Sequence, residues 1–120
     1  MSGDEELRQA FRELAMKASE SKQKIAQGEA LKQQALRSEK ASRLAARQLA
    51  ELGERPTFRA NGRLFILSTH TDEMKRHEDE ANQFAVKVQN IDKQREYLEK
   101  SVEESEKNIR EMVEQRRGAE

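Results

Sequence analysis

Two histidines, His70 and His77, are the only imidazoles in the chain and stand two helical turns apart with no third ligand at useful spacing. A zinc site needs three or four such donors. No metal site is therefore expected, and the two read as a solvated His70 and a His77 at the edge of a helical seam. Cysteine is absent, which removes thiolate chemistry and any disulfide framework. The five glycines are scattered, so no phosphate-cradling loop is present. The acidic residues alternate with cations along helical faces and have no pocket in which a carboxylate pair could work. No catalytic or cofactor-binding residue emerges, and an enzyme is not expected. One basic cluster remains: Lys32, Arg37, Lys40, Arg43 and Arg47. It lacks interleaved aromatics and belongs to a chain of formal net charge +0. A solvated face, or a face toward an acidic partner, accounts for it better than nucleic acid does.

The remaining chemistry is burial of apolar surface, and periodicity shows where it acts. Met74, His77, Ala81, Phe84, Val88, Ile91, Arg95, Leu98, Val102, Ser105, Ile109 and Met112 recur at alternating spacings of three and four, a heptad seam. Glu96/Lys100, Glu103/Lys107 and Glu106/Arg110 place the acid four residues before the cation, the favourable order on a helix. Thr71 and Asp72 stand where an N-cap is needed. The first half repeats the spacing less sharply through Leu7, Phe11, Leu14, Ala18, Ser21, Ile25 and Gly28. It continues through Lys32, Ala35, Glu39 and Ser42 and resumes at Leu49 and Leu52. Ser2 and Glu5 fit a capping box, and Gly53 with Pro56 should end this helix. Gly28 and Ser21 on the seam suggest a loosely packed arm.

Between the two arms, Asn61-Gly62 is flanked by β-prone residues, which predicts a hairpin with a type I′ turn at that dipeptide. The expected layout is one domain over 1–120: helix 1 at about 4–52, the hairpin at about 57–68 and helix 2 at about 72–117. The class is mainly α, two long helices in an antiparallel coiled coil joined by one β-hairpin. Composition agrees, with 38% charged residues, 4% aromatic residues and a mean hydropathy of -1.08. If the arms fold back on each other, facing residue numbers should add to a constant. Phe11 with Met112, Leu14 with Ile109, Ile25 with Leu98, Ala35 with Val88, Ser42 with Ala81 and Leu49 with Met74 all do.

The hairpin asks for more than the arms can supply. Leu64, Phe65, Ile66 and Leu67 are consecutive, and successive strand residues point to opposite faces, so both faces of that strand are apolar. An isolated two-stranded hairpin is marginal in water. Either it joins strands of other chains in a larger sheet or barrel, or it folds down onto Leu49, Leu52 and Met74. The first is favoured, since narrow seams leave little surface for cover.

The run Asn61-Gly62-Arg63-Leu64-Phe65-Ile66-Leu67 resembles the Gly-Arg-x-Phe-Ile-Leu strand of prefoldin subunits of the β class. Phe58 sits where that family has an aromatic residue. Tyr97-Leu98-Glu99-Lys100-Ser101-Val102 and Asn108-Ile109-Arg110-Glu111-Met112 resemble the family's second helix, and Ala10-Phe11 with Glu13-Leu14 fit its start. The likeness is specific from about Phe58 to Arg117 and looser before it. It implies a subunit of a cytoplasmic heterohexamer, two α-class and four β-class chains, whose hairpins form a multi-subunit β-barrel. Phe58, Leu64, Phe65, Ile66 and Leu67 would make the subunit contacts. It further implies an ATP-independent chaperone that holds unfolded proteins, notably actin and tubulin, and delivers them to the group II chaperonin. Leu7, Phe11, Leu14, Ile109, Met112 and Val113 concentrate apolar bulk at the two ends of the chain. They close the seam there, and by the resemblance they also contact the client, a role that flexible Met suits. No run of apolar residues is long enough for a membrane span, and the acidic start lacks the apolar run of a secretory signal. The rival reading is a coiled-coil scaffold or tethering subunit without chaperone activity.

Overall fold

The structure, a computed structural model, describes residues 3–119. Its elements in chain order are α1 (Gly3–Leu52), β1 (Thr57–Asn61), β2 (Leu64–Ser68) and α2 (His70–Ala119). Two long helices joined by one antiparallel hairpin are the class that periodicity indicated. The first turns carry Asp4, Glu5 and Glu6 in α1 and Asp72 and Glu73 in α2. Arg116 and Arg117 lie in the last turn of α2, so both dipole ends of that helix meet opposite charge. Ser2, half of the expected capping box, lies outside the described residues.

Three local expectations are corrected. The α2 cap is Thr69 rather than Thr71 or Asp72: its hydroxyl accepts the Asp72 amide at 3.1 Å, and its carbonyl takes the Glu73 amide at 3.0 Å. The turn is centred on Gly62-Arg63, because Asn61 is already paired with Leu64. Gly62 has φ of 63° and, among the described residues, no non-glycine residue has positive φ, the sign pattern of a type II′ turn rather than type I′. Arg63 carries a Cβ and avoids the left-handed region that a type I′ turn would impose on it. Thirdly, His70 is half-buried rather than solvated. Its Nε2 donates to the Leu49 carbonyl, one of the orphan acceptors in the last turn of α1, where no basic residue is present. Gly53, with φ of 72°, ends α1 in the left-handed conformation usual after a helix.

The chain forms two compact units. One spans Leu31–Asn90 and holds the hairpin with the helical segments beside it. Its fully buried seam positions are small, Ala35, Ser42, Ala46 and Ala81, the last completely, while the larger Leu49, Met74, Phe84 and Val88 are half-buried. Ser42 Oγ donates to Glu80 at 3.5 Å and Arg43 Nη2 to Asn82 Oδ1 at 3.5 Å, whereas Leu49, further along α1, meets His70, further back on α2, so the two segments run antiparallel. Arg43 is also held by Glu39 one turn back at 3.0 Å.

The other unit comprises the residues up to Ala30 and those from Ile91 onward. Here Lys17 Nζ donates to Ser105 Oγ at 2.9 Å, and Asp4 pairs with Arg116, again an antiparallel arrangement. Ser21 and Ile109 are buried. Ile25 and Gly28 meet Ile91 and Leu98, and Gly28 has ordinary room for a methyl group, 3.4 Å from Ile91 Cγ2. Every seam position read from α2 is at least half-buried, while Phe11 on α1 stays 49% exposed.

Candidate functional site

Two surfaces hold the residues singled out from sequence. The first is the hairpin. Phe58 pairs with Leu67, Arg59 with Ile66 and Ala60 with Phe65, so Phe58, Phe65 and Leu67 share one face while Leu64 and Ile66 share the other. Leu64 and Leu67 are each 70% exposed, Phe65 76%, Phe58 58% and Ile66 48%. The sheet has only these two strands, which leaves an unpaired edge on each. The hairpin does not fold down onto the helices: Leu52 remains half exposed, and the groove that Leu49 and Leu52 share with Phe58 and Ala60 is open. Covering one such large apolar side chain is worth about 1.5–3 kcal/mol, so five together are a strong drive toward a partner surface.

The second surface lies in the other unit. Phe11, Leu14, Ile109 and Val113 line one shallow groove, rimmed by Glu106, Arg110, Glu114 and Arg117. Leu7 and Met112 are half-buried and do not line it. Ile109 is buried and closes the seam, whereas Phe11 presents about half its surface to solvent. The six residues therefore divide between packing and exposure. The groove is apolar at its base with both signs of charge at its rim, which suits contact with varied apolar segments.

One group of residues was missed in the sequence. Glu73 is 3% exposed, in the first turn of α2, with its Oε1 accepting Arg59 Nη2 at 2.8 Å and Arg59 Nε at 3.0 Å. Its Oε2 accepts Arg76 Nε at 2.9 Å. Burial alone would raise its pKa, but hydrogen bonds from Arg59, Ser68 and Arg76, with the Arg76 charge, outweigh that and lower it from 4.5 to about 2. Read as sequence, Glu73 is an ordinary first-turn acid. The only available signal was Arg59 in a strand of otherwise uncharged residues. Ala46 was missed as well, because one more alanine in an alanine-rich arm adds little to a periodic pattern.

Among the described residues no three of His, Cys, Asp and Glu gather as a metal site, and no helix is long and apolar enough to cross a membrane.

Comparison with known proteins agrees with this geometry. A family model described as "Prefoldin subunit" matches residues 12–116. A protein named "Probable prefoldin subunit 1" from Caenorhabditis briggsae is 42% identical over 115 residues, covering 95% of this chain and 98% of that protein. Its namesake from Caenorhabditis elegans is 39% identical over the same shares. "Prefoldin subunit 1" of Homo sapiens is 31% identical over 115 residues, 95% of this chain and 94% of the human protein. With a family match over most of the chain and relatives above 30% identity along nearly their whole length, the chain belongs to the prefoldin family of chaperone subunits.

Proposed function

We propose that this chain is a β-class subunit of a heterohexameric, ATP-independent chaperone that assembles through its hairpin and holds unfolded proteins. The observation that carries the reading is strand β2, whose Leu64, Phe65, Ile66 and Leu67 are exposed on both faces of a sheet with open edges. Such a strand is stable only when neighbouring strands pair its edges and cover its faces. Two α-class subunits and further β-class subunits supply those strands, in a shared β-barrel. Family membership supports association with prefoldin subunits in particular.

In this reading the groove of Phe11, Leu14, Ile109 and Val113, with Leu7 and Met112 beside it, takes exposed apolar segments of clients such as actin and tubulin. The complex then passes its clients to the group II chaperonin in the cytoplasm. No nucleotide enters the cycle, since holding requires only reversible burial of apolar surface.

The test reconstitutes the chain with its partner subunits. Replacing Phe65 and Leu67 by Ser should abolish the hexamer, measured by light scattering after size-exclusion chromatography. Replacing Phe11, Ile109 and Met112 by Ser should leave the hexamer intact and weaken suppression of aggregation of an unfolded client. A hexamer that forms normally without Phe65 and Leu67 would sink the assembly reading. Full suppression by the triple variant would remove these residues from client contact. A chain that forms a stable homodimer and ignores the other subunits would instead favour a scaffold.

A further inference from the structure

From Phe58 to Leu67 every hairpin residue is exposed, so apolar packing does not hold the hairpin against the helices. A polar grip does. The buried Glu73 divides its carboxylate, one oxygen to Arg59 of β1 at 2.8 Å and the other to Arg76 of α2 at 2.9 Å. Ser68, at the end of β2, adds its hydroxyl. Arg76 in turn donates to Glu80 at 2.9 Å, and Glu80 accepts from the buried Ser42 of α1 at 3.5 Å. One connected set of hydrogen bonds thus runs from β1 through α2 to α1, and Glu73 is its only link to Arg59.

Charge-assisted hydrogen bonds are shorter and about twice as strong as neutral ones, and this one is largely shielded from water on the carboxylate side. Thr69, the α2 cap, is the single residue between β2 and α2, whereas β1 follows a longer connection that begins at Gly53 in the left-handed region, so Glu73 is what ties β1 to α2. We propose that Glu73 is a positioning residue for assembly: by gripping Arg59 it fixes the angle at which the hairpin leaves the helices, and so sets how its apolar faces meet neighbouring subunits. This rests on the reading of the hairpin as the assembly surface.

The chain has no cysteine, so labels can be placed at will. Spin labels on Arg63→Cys in the turn and Lys87→Cys on α2 report the hairpin angle as a distance distribution in the full chain. Arg59→Met removes the guanidinium but keeps an aliphatic stem. Arg59→Met combined with Glu73→Gln removes both charges, so that no unpaired carboxylate is left to unfold the helices. Both variants should retain the parent helical content by circular dichroism and broaden the label distribution. Both should also need about tenfold more partner subunit to form the hexamer, a loss of about 1.4 kcal/mol. An unchanged narrow distribution in both variants overturns the proposal, whatever happens to assembly. A broadened distribution with parental assembly overturns it as well. Phe65→Ser is the control for the underlying reading. If it assembles normally, the hairpin is not the assembly surface, while the label distances still decide whether Glu73 holds the hairpin.

Discussion

The unit spanning Leu31–Asn90 and the unit built from the two ends of the chain use the same antiparallel pairing with different side chains. In the first, the small Ala35, Ser42, Ala46 and Ala81 are buried, with the larger Leu49, Met74, Phe84 and Val88 half-buried along the same seam. In the second, Leu14, Ile109 and Met112 lie on the seam with Val113 beside it, yet among the described residues only Ile109 and the small Ser21 are buried and Phe11 is half exposed. Helix separation follows the side chains at the contact. Small residues allow close approach and complete burial, while large ones fill a wider seam whose flanks stay open. The hairpin unit thus has more fully buried seam positions, and it also carries the exposed hairpin. The other unit leaves Phe11 half accessible beside the buried Ile109.

The largest expected effect probes the polar grip that distinguishes the hairpin unit. Glu73→Ala removes the carboxylate that accepts from Arg59 and Arg76, both partly in water, and should cost about 2–3 kcal/mol in denaturant unfolding through the lost charge-assisted hydrogen bonds. The same residue sets a pH dependence. Its folded pKa of about 2 lies below the ordinary 4.5, so its contribution is complete above 4.5 and lost as pH falls from there to about 2. The stability gap between the parent chain and Glu73→Gln should narrow over that window, and a gap that stays constant would show that the charge contributes nothing.

Ala81→Leu comes next. Ala81 is fully buried in the close-packed seam, and the added bulk should cost about 2 kcal/mol by overpacking. Phe11→Ala, in the open seam, removes a larger side chain but should cost only about 1 kcal/mol, because half of it is already in water. If thermal melts reverse that order, the contrast between a sealed and an open seam is wrong. The smallest change is a gain: Gly28→Ala should stabilise the chain by about 0.5–1 kcal/mol through helix propensity, since the new methyl meets Ile91 at ordinary contact distance.

Much of the fold was legible because long amphipathic helices repeat their signal. Each turn of α2 restates the same seam, from Met74 to Met112, so single departures such as Arg95 and Ser105 do not obscure it. The hairpin was legible from a handful of residues, since Asn61-Gly62 and four consecutive apolar residues admit few other conformations. The turn itself was misplaced by one residue. Asn61-Gly62 and Gly62-Arg63 both offer a central glycine, and cross-strand pairing rather than the dipeptide chose between them. The candidate contact residues were visible as apolar bulk, but their division into Ile109, which packs, and Phe11, which is exposed, was not. A heptad pattern states which way a residue points, not how closely the opposite helix approaches.

By itself the sequence determined two long helices, a hairpin with two apolar faces and a heptad seam of mixed large and small residues, because these are properties of neighbours along the chain. Only tertiary structure decided that Glu73 is buried between Arg59 and Arg76, that His70 caps the end of α1 and that the hairpin faces stay uncovered. Each of these depends on groups distant in sequence meeting within hydrogen-bond range or failing to meet, and no local periodicity encodes a distance between distant segments.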